Sequence, residues 1–268
     1  MALASLAMYD LPELRAATDA WWQGLARAFR REGVADVPDA LDRRTDFQQV
    51  LLSPDLLFAQ TCGYPLTHAL ADKVTLLATP CYAIEGCAAG DYCSVVIVAR
   101  DSPATDITAL RGARCAINGT DSQSGYNALR ALVAPLAAGG RFFGKVAVSG
   151  GHRASIGLVA AGQADIAAID CVTYTLLNRH RPAVLAGTRV LCRTAAAPNL
   201  PYVTRRRADA DLLARLRNGL QRAMVDPALT TVRDSLMLAD IAVLPLSAYD
   251  RITAMEAAAI AAGYPAVA

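Results

Sequence analysis

Histidine is scarce in this sequence, with three residues in 268. The seven cysteines, at positions 62, 81, 87, 93, 115, 171 and 192, form no CxxC pair. So few imidazoles and such scattered thiols make no ligand set for a structural zinc site, and neither a metal nor a cofactor is expected. Apolar runs are short. None reaches the roughly 18 residues that cross a bilayer, so no membrane insertion is expected. Charge is thin: charged residues make up 19%, with 26 basic and 24 acidic side chains and a net charge of +2. The one basic triplet, Arg205 to Arg207, reads as a solvated face, and without clustered basic residues a nucleic-acid partner is not expected. The opening "MALASLAMYD" has no basic front, and its apolar stretch stops at Tyr9-Asp10, so no secretory signal is expected there. Internal repeats and low-complexity linkers are also missing.

What is present is a large apolar fraction. Hydrophobic residues make up 54%, enough for a sizeable core in one large or two modest domains. Cys93, Cys115 and Cys192 stand in apolar, strand-like runs, where cysteine acts as a small hydrophobe. This usage fits a reducing compartment better than an oxidising one, and a Cys81–Cys87 bridge stays open.

Periodicity sets out the elements. "LASLAMYD" (3–10) reads as a buried opening strand. Leu14, Trp21, Leu25 and Phe29 form one stripe of a helix ending near Gly33. "KVTLLATPCY" and "YCSVVIVAR" read as strands, the second apolar throughout, as strands buried on both faces are. The middle of the chain then alternates: strand in "ARCAINGT", helix in "SGYNALRALVAPLAAGG", strand in "GKVAVSGG", helix in "HRASIGLVAAGQ", strand in "ADIAAID", helix in "CVTYTLLNRH", strand in "TRVLCRTA". Such alternation predicts a parallel sheet covered by helices. A helix carries Leu212, Leu216, Leu220 and Met224 on one face, and a last helix lies within 246–265.

The chemistry concentrates in "GTDSQSGYNAL" (119–129). A strand ends, a donor-rich loop turns and a helix begins. The first turn of a helix has backbone N–H groups without intrahelical partners and carries the positive end of the dipole. Ser122 and Ser124 add hydroxyls, and Gly125 admits an anion close to the backbone. This is a physical recipe for holding an oxyanion, although the Gly-Lys-Ser/Thr ending of a nucleotide loop is missing. Ordinary N-capping by the same residues is the competing reading. A second helix start places His152 and Ser155 on its first turn. Asp170 ends a third strand, and in open α/β sheets ligands collect outside such ends.

"DITALRGARCAINGTDSQSGY" followed by "SGGHRASIGLVAAGQADIAAIDCVTY" resembles the periplasmic phosphate/phosphite/phosphonate-binding proteins of ABC transporters in motif order and spacing. The resemblance is strongest over 92–204. It implies an α/β, two-lobed type 2 periplasmic-binding-protein fold: two α/β domains joined by two hinge strands, with ligand in the cleft. Lobe one would be 1–96 plus 200–268 and lobe two 97–199. It further implies that Ser122, the Gln123 N–H, Ser124 and Gly125 cradle a small oxyanion, that His152 donates to it, and that Asp170 accepts from a protonated anion or faces an ammonium. Tyr9, Tyr64 and Tyr92 would be aromatic contacts, with core packing as the competing reading for each. No cationic side chain stands in the loop, and Arg153 is the nearest one outside it.

Expected partners are the small oxyanion and an ABC permease, with the protein itself a monomer. The resemblance implies a periplasmic location, with the cytoplasm as the alternative. Two other functions stay open. One is a cytoplasmic ligand-sensing or biosynthetic relative of the same fold that binds an organic ligand. The other is a cysteine-dependent enzyme built on Cys62, His152 and Asp170.

Overall fold

A computed structural model describes residues 2–268. Its strands are β1 (Leu3–Ser5), β2 (Leu56–Gln60), β3 (Val74–Tyr82), β4 (Asp91–Tyr92), β5 (Ser94–Ala99), β6 (Arg114–Ile117), β7 (Lys145–Val148), β8 (Ile166–Asp170), β9 (Thr188–Arg193), β10 (Ala197–Pro198), β11 (Tyr202–Arg205) and β12 (Leu238–Ala242). Its α-helices are α1 (Arg15–Arg31), α2 (Phe47–Leu52), α3 (Gly63–Thr67), α4 (Ala128–Val133), α5 (His152–Ala160), α6 (Cys171–His180), α7 (Ala210–Val225), α8 (Thr230–Ser235) and α9 (Asp250–Ala261). Among the described residues, no helix is long and apolar enough to cross a membrane.

The chain divides into two compact units. Among the described residues, unit 1 comprises 2–83, 88–90 and 199–248; unit 2 comprises 84–87, 91–198 and 249–268. Unit 1 holds a sheet in the order β1-β2-β11-β3-β12. β1 runs parallel to β2, while β11 runs antiparallel to β2 and β3, and β12 antiparallel to β3. α1 packs against α7. The apolar stripe of α1 is buried as expected, and Trp22 and Phe29 meet Phe58 of β2 with ring centroids 6.0 and 5.5 Å away. The opening strand expected over 3–10 stops at Ser5. Residues Ala7–Tyr9 turn as a 3₁₀ helix instead, which sets the Tyr9 ring edge-on to Tyr82 at 5.6 Å.

Unit 2 holds a sheet in the order β7-β6-β8-β5-β9. β6 pairs parallel with β7 and β8, as the helical crossovers α4 and α5 require. The sheet is not all parallel. β5 runs antiparallel to both β8 and β9, because it carries the chain into the unit without a helical crossover before it. One core of the unit joins Val96 and Val98 of β5 to Cys115, Ile117, Ile166, Leu129, Val133 and Phe142. Ala259 of α9, Tyr264 and Val267 complete it. The final segment was expected in the first lobe; residues 249–268 fold with unit 2, because their apolar side chains close this core. β5, placed across the lobe boundary near residue 96, likewise lies wholly in unit 2.

Candidate functional site

The parallel strands of unit 2 deliver their carboxyl ends to one edge of the sheet. Ser122 follows β6, His152 follows β7, Asp170 ends β8, and Ser94 opens the oppositely running β5 in register with Asp170.

The loop after β6 enters its helix through a π turn, Gln123–Asn127, which continues into α4. Single π turns recur at functional positions in proteins. Ser122, Gln123, Ser124 and Asn127 are all buried. Ser122 caps the turn: its Oγ accepts from the Gly125 N–H at 3.0 Å. The capping reading is therefore realised at this residue, while its hydroxyl proton stays available to a neighbour. Ser124 Oγ lies 3.4 Å from Ser122 Oγ and 2.9 Å from His152 Nε2. The Ser124 carbonyl accepts from Ser94 Oγ at 2.9 Å, which ties the loop to the sheet edge that bears Asp170. Gly125 is needed for close approach. A Cβ there would stand 1.9 Å from Asn118 Oδ1 and 3.2 Å from His152 Cε1.

His152 is partly exposed as a residue, but its Nδ1 is enclosed. Burial pushes its pKa down from 6.5 to about 4, with the Ala168 backbone pulling weakly the other way. The ring is thus neutral near pH 7. Either Ser124 donates to a bare Nε2, or an Nε2–H donates to Ser124 and frees the serine proton for a third group. Ser155 is buried too, and its Oγ lies 2.7 Å from Ser149 Oγ, bracing the start of α5. Asp170 is buried and caps α6: its Oδ1 accepts from Val172 N and Thr173 N at 2.7 and 3.0 Å.

The two donor-rich helix starts thus meet in one hydrogen-bonded group within one unit. A sequence profile of the phosphonate periplasmic substrate-binding proteins of ABC transporters matches residues 34–249. The chain belongs to this family. No curated protein matches its sequence. Solved structures share the fold. A binding-protein component of a phosphonate ABC transporter from Pseudomonas aeruginosa superposes with a TM-score of 0.76 at 15% identity, covering 98% of this chain and 87% of its own. PhnD1 from Prochlorococcus marinus, solved with methylphosphonate, gives 0.74 at 14% identity over 96% and 97%. A Xanthomonas citri protein solved with ATP gives 0.70 at 18% identity over 98% and 97%. The two-lobed α/β fold expected of a periplasmic binding protein is that of this substrate-binding family.

The other residues singled out for this phosphonate-family protein fall as follows. Tyr92 is buried in unit 2 on β4, which pairs with β10. Tyr9 and Tyr64 belong to unit 1. Tyr9 is buried beside Tyr82, and Tyr64 stacks on His68 at 4.0 Å between ring centroids. Cys62 belongs to unit 1 and is in no disulfide, whereas His152 and Asp170 belong to unit 2, where their polar atoms already serve Ser124 and α6. Among the described residues, no group of three or more His, Cys, Asp or Glu side chains is placed to hold a metal.

Three residues near the loop escaped the sequence reading. Asn127 Nδ2 donates to Gln123 Oε1 at 2.7 Å and to the Ile252 carbonyl at 3.0 Å. Arg130, almost fully buried, donates to Asn127 Oδ1 at 2.6 Å, pairs with Glu256 at 2.9 Å and lies 5.2 Å over the Tyr126 ring. An arginine inside an apolar helical run was the available signal. Asn118 Oδ1 is buried with no hydrogen-bond partner among the described residues.

Proposed function

We propose that this family member captures a small oxyanion of phosphate, phosphite or phosphonate type on the Ser122–Gly125 turn and His152 and performs no chemistry on it. The observation that carries this reading is the part-buried Ser124 Oγ–His152 Nε2 bond at 2.9 Å beside the first turn after β6. An anion near Ser124 favours the tautomer with the proton on Nε2. The imidazole then donates to Ser124, and Ser124 donates to the anion. Backbone N–H groups of Gln123 and its neighbours add donors at the positive end of the turn. Asn118 Oδ1, a buried acceptor beside these donors, suits the hydroxyl of a singly protonated anion. The carboxylate of Asp170 suits an ammonium on an organic tail.

Tyr92, in the same unit as the turn, is proposed as an aromatic contact to that tail. Binding serves delivery to an ABC permease, the periplasm being where the family works. The proposed absence of catalysis rests on His152: burial pushes its pKa down to about 4, which makes it a poor base near pH 7. Isothermal titration of the folded protein with phosphate, phosphite, sulfate, methylphosphonate and an aminoalkylphosphonate tests the reading. Saturable heat with at least one phosphorus oxyanion and none with sulfate is expected. No heat from any of them overturns it.

A further inference from the structure

Three cysteines of unit 2 gather at the start of α6. Cys87 Sγ lies 3.5 Å from Cys171 Sγ, van der Waals contact for two sulfurs, and the two residues are 84 positions apart in the chain. Cys93 completes the group. Its sulfur lies 3.9 Å from the Arg193 guanidinium, and its carbonyl accepts from Cys171 N at 3.1 Å. The Cys81–Cys87 pair considered from the sequence is not made: neither cysteine is in a disulfide, and Cys81 Sγ faces the Thr79 carbonyl at 3.9 Å.

We propose that Cys87 and Cys171 are a dithiol that closes to a disulfide when a small-molecule disulfide acts as oxidant. A bond between the sulfurs needs a separation of about 2.05 Å, so one of them must move by about 1.5 Å. Cys87 can supply this movement. It ends the short turn Ile84–Cys87, closed by a single backbone bond from Cys87 N to the Ile84 carbonyl at 3.0 Å. Gly86 in this turn has φ +93°, and a Cβ there would stand 2.5 Å from Cys93 Sγ, so glycine lets the turn run close over the sulfurs. Cys93 and Cys171 lack this freedom relative to each other, since Cys171 N donates to the Cys93 carbonyl at 3.1 Å across the sheet edge.

Exposure also selects Cys87. It is half-buried, whereas Cys93 and Cys171 are buried. The Cys87 thiolate therefore attacks the external disulfide first, forming a mixed disulfide and releasing one small thiol. The Cys171 thiolate then attacks the Cys87 sulfur and releases the second. Two protein S–H bonds are lost and one S–S bond is made, while the oxidant's S–S bond is reduced to two thiols. The bond to Cys87, with burial, holds the Cys171 thiol above its ordinary pKa, so closure accelerates as pH rises. The bridge ties the Ile84–Cys87 turn, where the chain enters unit 2 after Ala83, to the first residue of α6, next to its cap Asp170.

Incubation of the reduced protein with excess oxidised glutathione tests this. Alkylation after unfolding should count seven thiols before treatment and five after, and a non-reducing digest should yield one peptide pair joined through Cys87 and Cys171. Cys93→Ser should still lose two thiols on oxidation, and Cys87→Ser should lose none. Seven thiols persisting in the folded, treated protein overturn the proposal, as does a bridge between any other pair. The wild-type digest decides alone if a variant does not fold.

Discussion

Ser124 Oγ and His152 Nε2 stand 2.9 Å apart in unit 2, at the centre of the proposed site. Deleting the Ser124 hydroxyl in a buried setting removes a donor and leaves Nε2 without its bond. Ser124→Ala is expected to weaken oxyanion affinity by about 1–3 kcal/mol, roughly 5- to 150-fold in dissociation constant. Titration calorimetry reads this directly, and an unchanged constant with a phosphorus ligand that binds wild type removes Ser124 from the site. His152 makes a separate prediction about stability. Its folded-state pKa of about 4 lies below the ordinary 6.5. Between those values the unfolded chain binds a proton that the folded chain refuses. Stability from this residue is therefore complete above pH 6.5 and is lost as pH falls toward 4, by up to about 3 kcal/mol. His152→Gln should flatten that slope in urea melts between pH 7 and 4. Equal slopes in both proteins would mean that the imidazole titrates normally. The loop, the histidine and the aspartate were legible in the sequence because small polar residues at strand ends have few structural reasons to cluster. Arg130 was not, because its partners Asn127 and Glu256 come from residues 3 and 126 positions away, and only folding joins them.

At the scale of elements, α6 separates two roles of one side chain. Asp170 caps the helix through Oδ1 and carries the charge proposed to face an ammonium. Asp170→Ala removes both and should cost about 1–2 kcal/mol of stability through the lost cap. Asp170→Asn keeps an acceptor oxygen and should cost less, yet it removes the charge. Both variants should lose preference for an aminoalkylphosphonate over methylphosphonate, measured as the ratio of dissociation constants. A ratio unchanged in Asp170→Asn would leave the residue as a cap alone. Most elements were readable because their apolar periods are clean: α1, α5, α6, α7, β3 and β8 lie where 3.6- and 2-residue patterns put them. The π turn at Gln123–Asn127 was not readable. Its register depends on the Gly125 backbone fitting against Asn118, a tertiary approach that no local pattern encodes. The reversed direction of β5 was equally hidden, since an apolar run does not state which way it runs.

At the scale of the whole chain, the allegiance of the last helix is the informative difference. The sequence shows that 246–265 has an apolar face but not which core it covers, and unit 2 claims it through Ala259, Tyr264 and Val267. The hydrogen bonds agree: Phe142 N and Phe143 N both donate to the Ala268 backbone oxygen, at 2.7 and 2.8 Å. The tail also supplies the counter-charge for Arg130. With side-chain exposures of 3% and 20%, Arg130 and Glu256 form an ion pair largely withdrawn from water. Removing one member of such a pair strands the other charge, at a typical cost of about 3–5 kcal/mol. Glu256 keeps some contact with solvent, so the lower end applies. Glu256→Gln should destabilise the protein by about 3 kcal/mol, and the loss should be local. Hydrogen exchange should quicken at the amides of β6 and β8, which share a core with the tail, and stay near wild type at β2 and β3 in unit 1. Loosening the tail also frees Arg130, whose bond to Asn127 braces the turn that holds Ser124. Oxyanion affinity should therefore fall in this variant, although Glu256 stands outside the proposed contacts. Faster exchange spread evenly over both units would show that the tail stabilises the molecule as a whole and does not brace the Ser122–Gly125 turn in particular.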